Sequence, residues 1–332
     1  MNKTNFFKCL FTVIAAVMLV PLSAHARVVL YDADMSGELD INDVVAVIHY
    51  VLAGDASMIS LDNADVNNNG SVDINDVTKI IEGVLNGVTL PPPDPEGIVT
   101  YTVNGVSFEM VPVEGGTFMM GSTRNVEEQP VHQVTLSDYW IGQTEVTRGL
   151  WRAVMGWVTQ EGLSGITDEH PVCWVSWDQC QEFVDKLDEL TGLSFHLTTE
   201  AQWEFAARGG NLSHGYLYAG SDNIDEVAYY DTNKGTFRVG RLWPNELGLY
   251  DMSGNVGEIC QDTFFGIRGS YSSEPQTNPV YIQDDNPAMR KVVVRGGAIW
   301  YGAAGCTVTY RFELDHSKEW MFTGMRLALG PE

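Results

Sequence analysis

The chain has 332 residues, long enough for about two domains, with 44 acidic and 19 basic residues. Such acidity argues against a nucleic-acid partner, because phosphate contacts are made by lysine and arginine. After the first 26 residues no run of 18 or more apolar residues occurs, so we expect no membrane span.

The first 26 residues have the pattern of a secretory signal peptide. Lys3 and Lys8 give a basic start, residues 11–20 form a short apolar stretch, and residues 24–26 form a small-x-small cleavage site. We therefore expect cleavage after Ala26 and a secreted, extracellular protein. Four cysteines remain after cleavage, and the sequence does not choose among their three possible disulfide pairings: they are Cys173, Cys180, Cys260 and Cys306.

Two twelve-residue loops then repeat one calcium-ligand pattern. Calcium takes six to eight oxygen ligands, and loop positions 1, 3, 5, 7, 9 and 12 supply them around a glycine at position 6. At position 7 the ligand is the backbone carbonyl. The predicted ligands are Asp32, Asp34, Ser36, Glu38, Asp40 and Asp43 in the first loop, and Asp65, Asn67, Asn69, Ser71, Asp73 and Asp76 in the second. The sequence therefore predicts two calcium ions.

An apolar stripe with helical spacing follows each loop and ends at a glycine, Gly54 or Gly87. The stripes are Val44, Val47, Ile48, Val51 and Leu52, then Val77, Ile80, Ile81, Val84 and Leu85. Each predicts a helix with one apolar face. Because the ligand carboxylates would repel one another without metal, we expect folding to be coupled to calcium binding.

This loop–helix duplication, over residues 28–88, resembles a type I dockerin. Both loops end with aspartate, whereas ordinary EF-hands end with glutamate. The resemblance implies attachment to a cohesin-bearing scaffold, with contacts from loop positions 10 and 11, which are Ile41-Asn42 and Ile74-Asn75. The alternative interpretation is a calcium-stiffened stalk without a cohesin partner.

Residues 89–97 are proline-rich and predict a semi-rigid linker. We interpret residues 98–332 as one α+β domain with two clear helices, over 176–190 and 200–208. Trp140, Trp174, Trp177 and Trp300 suit either stacking on sugars or peptide, or aromatic core packing.

Glycine- and aromatic-rich motifs run through this larger domain, among them GGTFMMGS at 115–122, TEAQWEFAARGG at 199–210, GLYDMSGNV at 248–256, RGG at 295–297 and GMR at 324–326. In this order they resemble the formylglycine-generating enzyme, or sulfatase-modifying factor, family. The resemblance implies an irregular α+β fold related to the C-type lectin domain. The expected fold class is therefore a small helical calcium-binding module followed by this larger fold.

The oxidases of that family bind copper(I) through two cysteines that follow the RGG motif. The matching positions here are Tyr301 and Cys306, and the serine expected after RGG is Ala298. A phenol does not replace a soft thiolate ligand, so we expect no copper.

This departure favours a non-catalytic domain that binds peptide or glycan, with Cys306 as a buried thiol or a disulfide partner of Cys260. The alternative is a divergent oxidase or other modifying enzyme, with Cys306 as its catalytic residue, acting on an exported sulfatase or a similar protein.

The same resemblance implies a structural calcium ion at the Gly-Asn-Val turn. Its ligands would come from Asp251, Gly254, Val256 and Glu258. The aspartate and the glutamate retain hard oxygen donors, and the two residues between them offer carbonyls. The alternative is a turn held by hydrogen bonds alone.

Overall fold

The structure is a computed structural model, which describes residues 33, 41–54, 56–57, 59–64, 71–74, 76–78, 80–81, 97–160, 162, 165–264, 271–282 and 290–330. The chain divides into two compact units, Met1–Pro91 and Pro92–Glu332. The predicted signal peptide and most of the predicted linker lie outside the described residues. Within the described part, no helix is long and apolar enough to cross a membrane.

The first unit contains helix α1 (Ile41–Ala53) and the short helix α2 (Leu61–Ala64), and its described residues are helical again at 74, 76–78 and 80–81. α1 ends as predicted at Gly54, whose left-handed backbone (φ +68°) lets its N–H donate to the carbonyl of Tyr50 at 2.7 Å. The apolar core of this unit contains Ala33, Val44, Ala46, Val47, Ile59, Ala64, Val77 and Ile80.

The predicted apolar stripe of α1 is only partly buried. Val44 and Val47 are buried, but Val51 is 37% exposed and Leu52 is 78% exposed. Ile48, which belongs to the predicted stripe, and Tyr50, which does not, are partly buried and pack against the core. The stripe prediction was therefore wrong at its C-terminal end, because the described core residues pack mainly beside the first turns of α1. The later part of the second stripe, Val84 and Leu85, lies outside the described residues.

The second unit mixes strands and helices, as predicted. Its described strands are β1 (Val99–Val103), β2 (Val106–Val113), β3 (Gly116–Met120), β4 (His132–Leu136), β5 (Tyr139–Gly142), β6 (Phe195–Leu197), β7 (Ala228–Tyr229), β8 (Ser253–Gly254), β9 (Gly257–Thr263), β10 (Gln276–Thr277), β11 (Lys291–Arg295), β12 (Arg311–Asp315), β13 (Thr323–Met325) and β14 (Leu327–Leu329). Its described helices are α3 (Arg148–Met155), α4 (Trp177–Thr191), α5 (Glu200–Ala207) and α6 (Ile224–Val227).

The strands form small sheets that join distant parts of the chain. One sheet has the order β1-β2-β5-β14-β6, a second β10-β4-β3, a third β12-β11-β9-β13, and β7 pairs with β8. In the third sheet Glu258 of β9 lies opposite Arg295 of β11 on one side and Gly324 of β13 on the other. The Gly-Asn-Val, RGG and GMR motifs therefore meet at one place.

Both predicted helices of this unit are confirmed to within a residue or two. α4 follows Ser176 and α5 follows Thr199, and each cap forms a reciprocal capping box with the glutamine three residues later. α3 was not predicted. Thr147 caps its N-terminus and Gly156 ends it in the left-handed conformation.

Candidate functional site

Four of the twelve predicted calcium-loop ligands lie in the described residues, and they are Asp43, Ser71, Asp73 and Asp76. Asp43 and Asp76, at position 12 of the two loops, are fully buried, and Asp76 Oδ2 accepts a hydrogen bond from Asp73 N at 2.9 Å. A position-12 carboxylate is the bidentate ligand of such loops, so these residues fit calcium. Ser71 is exposed at position 7. The other predicted ligands lie outside the described residues: Asp32, Asp34, Ser36, Glu38, Asp40, Asp65, Asn67 and Asn69.

The two positions that match the family's copper-binding cysteines are Tyr301 and Cys306. Cys306 lies in the 3₁₀ turn Ala303–Cys306 and is fully buried, and burial raises the pKa of its thiol to about 12. A thiol with that pKa is protonated at neutral pH in the absence of metal, so a copper ion would have to displace its proton. Tyr301 stands where the second sulfur would be, and its pKa is raised by burial and by the neighbouring Tyr310 and Cys306. Ala298 is buried and supplies no side-chain ligand.

A disulfide between Cys260 and Cys306 is not what the structure shows. All four described cysteines are buried free thiols. Cys260 Sγ instead accepts from Thr198 Oγ1 at 3.9 Å and donates to the carbonyl of Glu258 at 3.8 Å. Cys306 belongs to a separate apolar cluster with Tyr218 and Val227. Of the two structural roles predicted for Cys306, the buried thiol is the one observed.

The Gly-Asn-Val turn brings together a buried group of charged side chains. The Glu258 carboxylate accepts hydrogen bonds from Arg326 Nη2 at 2.6 Å, from Arg326 Nε at 2.9 Å and from Trp203 Nε1 at 2.7 Å. Glu145 accepts from Asn255 Nδ2 at 3.0 Å on the other side of the turn. The carboxylate predicted to bind calcium is thus already held by a guanidinium.

The turn nevertheless holds two more carboxyl groups, and the pKa of each is raised. Burial, together with neighbouring Asp251 and Glu258, raises the pKa of Glu145 well above its usual value. Burial likewise raises the pKa of Asp251 to about 6, although its Oδ2 accepts from Gly240 N at 2.7 Å. No three His, Cys, Asp or Glu side chains in the described residues are placed to hold an ion. Calcium here would therefore depend on the carbonyls of Gly254 and Val256, and it stays a prediction.

Two further glutamate–arginine pairs lie under the family motifs. Glu204 of α5 pairs with Arg295 of the RGG motif, and Glu200 pairs with Arg311 of β12 at 2.6 Å. All four side chains are at most 2% exposed. Burial raises the pKa of Glu204, but Arg295, Arg208 and the N–H of Gly121 together bring it below its usual value. These motif residues therefore hold the core together as ion pairs, a role that sequence reasoning missed.

Six aromatic residues form what we call the aromatic array, and one of them is Tyr301, at a position where the family's oxidases have a copper-binding cysteine. Their rings contact one another in series, with centroid separations from 5.2 to 6.3 Å. None of the six is buried, and Trp300 is 57% exposed. The array contains Trp300, Tyr301, Tyr310, Phe312, Trp320 and Phe322. Trp300 and Tyr301 were singled out from the sequence, each for a different reason, and the other four become their neighbours only through the fold.

The sulfatase-modifying factor enzyme 1-like domain profile matches residues 101–330, and the type I dockerin domain profile matches residues 30–85. The first match covers more than half of the chain, so the chain belongs to the sulfatase-modifying factor enzyme 1-like domain family. A type I dockerin domain precedes that larger domain. Both resemblances seen in the sequence are confirmed. A type I dockerin in general implies calcium binding and a cohesin partner.

Similar curated proteins have different activities. Chaperone protein LppX of Paenibacillus barcinonensis is 33% identical, over 47% of this chain and 71% of its own length. The formylglycine-generating enzyme of Thermomonospora curvata is 37% identical, over 34% of this chain and 41% of its own length. Serine/threonine-protein kinase pkn1 of Chlamydia pneumoniae is 29% identical, over 55% of this chain and 32% of its own length. The chain spans less than half of the latter two, and a shared domain does not fix activity.

Solved structures show the same fold. Treponema denticola variable protein 1 superposes with a TM-score of 0.62 and 28% identity, over 71% of this chain and all of that chain. PvdO from Pseudomonas aeruginosa superposes with a TM-score of 0.57 and 22% identity, over 72% of this chain and 99% of that chain. The second comparison supports the fold alone.

Proposed function

We propose that this protein is exported, that its calcium-loaded dockerin attaches it to a cohesin-bearing partner, and that its larger domain is a non-catalytic binding module for peptide or glycan. The domain boundaries we propose are 28–88 for the dockerin and 98–332 for the larger domain. The export step rests on the signal-peptide pattern of residues 1–26, with cleavage after Ala26.

The observation that carries the proposal is the pair of positions 301 and 306. A half-buried phenol and a fully buried thiol with a pKa of about 12 replace the two thiolates of a copper(I) site. The polar serine expected beside them is the apolar Ala298. The two substitutions remove different requirements, since Tyr301 removes a soft ligand and Ala298 removes a hydrogen-bonding group, while Cys306 is retained as a buried thiol.

Copper(I) titration of the purified protein tests this proposal, with Cys306→Ser as the control. We expect no stoichiometric copper binding, and no difference between the two proteins. Tight one-to-one binding that is lost in Cys306→Ser would instead support the alternative, a divergent formylglycine-generating oxidase. Conversion of a cysteine-containing sulfatase peptide to the formylglycine aldehyde would support the same alternative directly.

Attachment through the dockerin is supported by the surface of the first unit. Ile74, at loop position 10, is 61% exposed although it is apolar, and Asn42, at position 11 of the other loop, is exposed. These are positions that the dockerin resemblance assigns to the cohesin contact. An exposed apolar side chain beside a calcium loop fits a partner-binding surface.

Capture from the native secretome, with and without a chelator, tests the attachment. We expect a calcium-dependent partner containing a cohesin domain, and weaker capture by an Ile74→Asp variant. Leu212→Asp is the matched control, because it changes a similarly exposed apolar residue of the larger domain. Failure to capture any calcium-dependent partner would favour the calcium-stiffened stalk.

A further inference from the structure

We infer that the aromatic array is a binding surface for an uncharged saccharide chain. This inference rests on the non-catalytic binding role proposed above and names its class of ligand. Sugar rings have apolar C–H faces and hydroxyl edges, so they match a surface that offers ring faces beside hydroxyl groups. The array offers ring faces, of which that of Trp300 is the most exposed, and it offers the hydroxyl groups of Tyr301 and Tyr310.

The rings of the array contact one another but are not enclosed. The line of contacts runs from Trp300 to Phe322 at 5.7 Å, from Phe322 to Trp320 at 6.2 Å, and from Trp320 to Tyr301 at 6.1 Å, beyond which lies Tyr310 at 5.9 Å. By contrast, the core tryptophans of the same domain are 0% exposed. Phe312 packs in part against one core cluster and Tyr301 against another, while the exposed parts of the six rings are open to an extended ligand.

Within the described residues, no arginine covers a ring of the array and no hydrogen bond uses the hydroxyls of its two tyrosines. Arginines of the described part lie over Trp177, Trp203, Phe264 and Tyr271, but over none of the six rings. The hydroxyls of Tyr301 and Tyr310 have no hydrogen-bond partner there, and neither is a buried unsatisfied atom. Both can therefore donate to and accept from the hydroxyls of a sugar.

The backbone beneath the array is already occupied and holds it rigid. Four backbone carbonyls of the array accept hydrogen bonds from the domain itself. The carbonyl of Tyr301 accepts from Asp231 N, and that of Tyr310 accepts from Arg295 Nη1. The carbonyl of Trp320 accepts from Trp174 N, and that of Phe322 accepts from Gly257 N. An extended peptide is often held by main-chain hydrogen bonds, and these four carbonyls already accept bonds from the domain itself. Ring faces and hydroxyls remain, which favours a saccharide over a peptide.

A strained residue supports the array from below. Trp174 has a left-handed backbone with φ +59°, which is rare for a bulky side chain. Its N–H donates to the carbonyl of Trp320 at 3.2 Å, and Val175 forms a β-bridge with Trp320. Such strain persists only where the surrounding structure fixes it, and it is concentrated at functional sites. Here it positions one ring of the array, which reduces the ordering cost of binding.

Charge selects against acidic ligands. The chain has a formal net charge of −25, and Arg295, Arg311 and Arg326 are buried in ion pairs. Sulfated or uronate-rich glycans would be repelled by this field. The ligand class is therefore a neutral saccharide.

Isothermal titration of the calcium-loaded full chain tests the inference. The probes are cellohexaose, xylohexaose and mannohexaose, with a heparin hexasaccharide and a lysine-rich nonapeptide as charged comparators. We expect at least one neutral hexasaccharide to bind with a Kd below about 1 mM, and to change the tryptophan fluorescence. Trp300→Ala should weaken that binding by about tenfold or more, and Tyr310→Phe should weaken it less.

Trp157→Ala is the matched control, because Trp157 is 40% exposed in the same domain but packs edge-on against Trp151. It should bind the hexasaccharide as the unchanged protein does. The inference is overturned if no neutral hexasaccharide binds below about 1 mM, if Trp300→Ala binds equally well, or if only the nonapeptide binds. Those results would leave the copper and cohesin tests of the proposed function unaffected.

Discussion

At the residue scale, position 306 holds a tightly packed, buried thiol. The Cys306 thiol is buried, and Gly297 lies so close that a Cβ there would be 2.8 Å from its sulfur. A side chain packed this tightly has neither the ionisation nor the access that nucleophilic or metal chemistry requires.

We therefore expect Cys306 to resist iodoacetamide in the native protein and to react fully after unfolding. Intact mass after alkylation, with peptide mapping, measures this. Mass should not change on reduction alone, because the four mature cysteines are free thiols. Rapid native labelling of Cys306, or a mass gain of two on reduction, would contradict the structure.

His170 gives a second prediction at this scale, on pH. Burial, with Arg238 and Arg148 nearby, lowers its pKa to about 4, while Thr167 N donates to its Nδ1 at 3.1 Å. The unfolded chain therefore binds this proton near pH 6.5 and the folded chain does not. The stability from neutral His170 is present above pH 6.5 and is lost as pH falls through about 4.

Proton NMR titration of the His170 ring should give a pKa close to 4. Unfolding free energies measured between pH 4 and 7 should fall more steeply on acidification than those of His170→Gln. A ring pKa near 6.5 would mean that His170 does not contribute to the pH dependence of stability.

At the element scale, the three buried glutamate–arginine pairs tie α5, β9, β11, β12 and the chain after β13 into one unit. The pairs are Glu200–Arg311, Glu204–Arg295 and Glu258–Arg326. Breaking a buried pair by removing one partner leaves an uncompensated charge in the core. The stability of this sparsely helical domain thus depends on a few charged contacts between distant segments.

Glu204→Gln should lower the unfolding free energy by roughly 3–5 kcal/mol, because it leaves Arg295 short of its main counter-charge. Urea unfolding measures the change. Glu182→Gln, which breaks the exposed Lys186–Glu182 pair on α4, is the control and should cost less than about 1 kcal/mol. A loss below about 1 kcal/mol in Glu204→Gln would show that the pair is not important for folding.

Local elements could be predicted from the sequence, whereas contacts between them could not. Ser176 and Thr199 cap the N-termini of α4 and α5. Capping involves residues only a few positions apart, so the starts of these helices can be predicted from the local sequence. Glu258 was instead assigned to calcium, because its partner Arg326 is 68 residues away. The array escaped prediction for the same reason, since Trp300 and Phe322 become neighbours only when β13 pairs with β9.

At the scale of the whole molecule, we expect the two units to depend on different cations. Asp43 and Asp76 are buried carboxylates in the predicted calcium loops, while the larger domain pairs its buried glutamates with arginine. The two units should therefore respond differently to a chelator.

Calorimetry with and without EDTA should show this difference. We expect EDTA to abolish the unfolding transition of the dockerin and to leave that of the larger domain within a few degrees. An Asp43→Ala, Asp76→Ala double variant should reproduce the effect without chelator, and Asp225→Ala is the control. Loss of both transitions in EDTA would mean that the larger domain also needs calcium to fold.

Calcium counting by mass spectrometry extends this test to the Gly-Asn-Val turn. We expect a third ion beyond the two of the dockerin, lost in Asp251→Ala and retained in Asp225→Ala. Two ions in the unchanged protein would mean that Arg326 alone neutralises Glu258.

The ring of Tyr301 lies directly over Gly305, where a Cβ would come within 2.7 Å of ring atom Cδ1. The two positions are therefore sterically coupled: any larger residue at 305 requires the tyrosine to move. Restoring sulfur by Tyr301→Cys would leave an empty volume above the glycine as well as a thiol, and filling that hole would demand a second, compensating substitution. A thiol placed at position 301 would therefore stand beside a void, and a larger residue at position 305 would be needed to fill it.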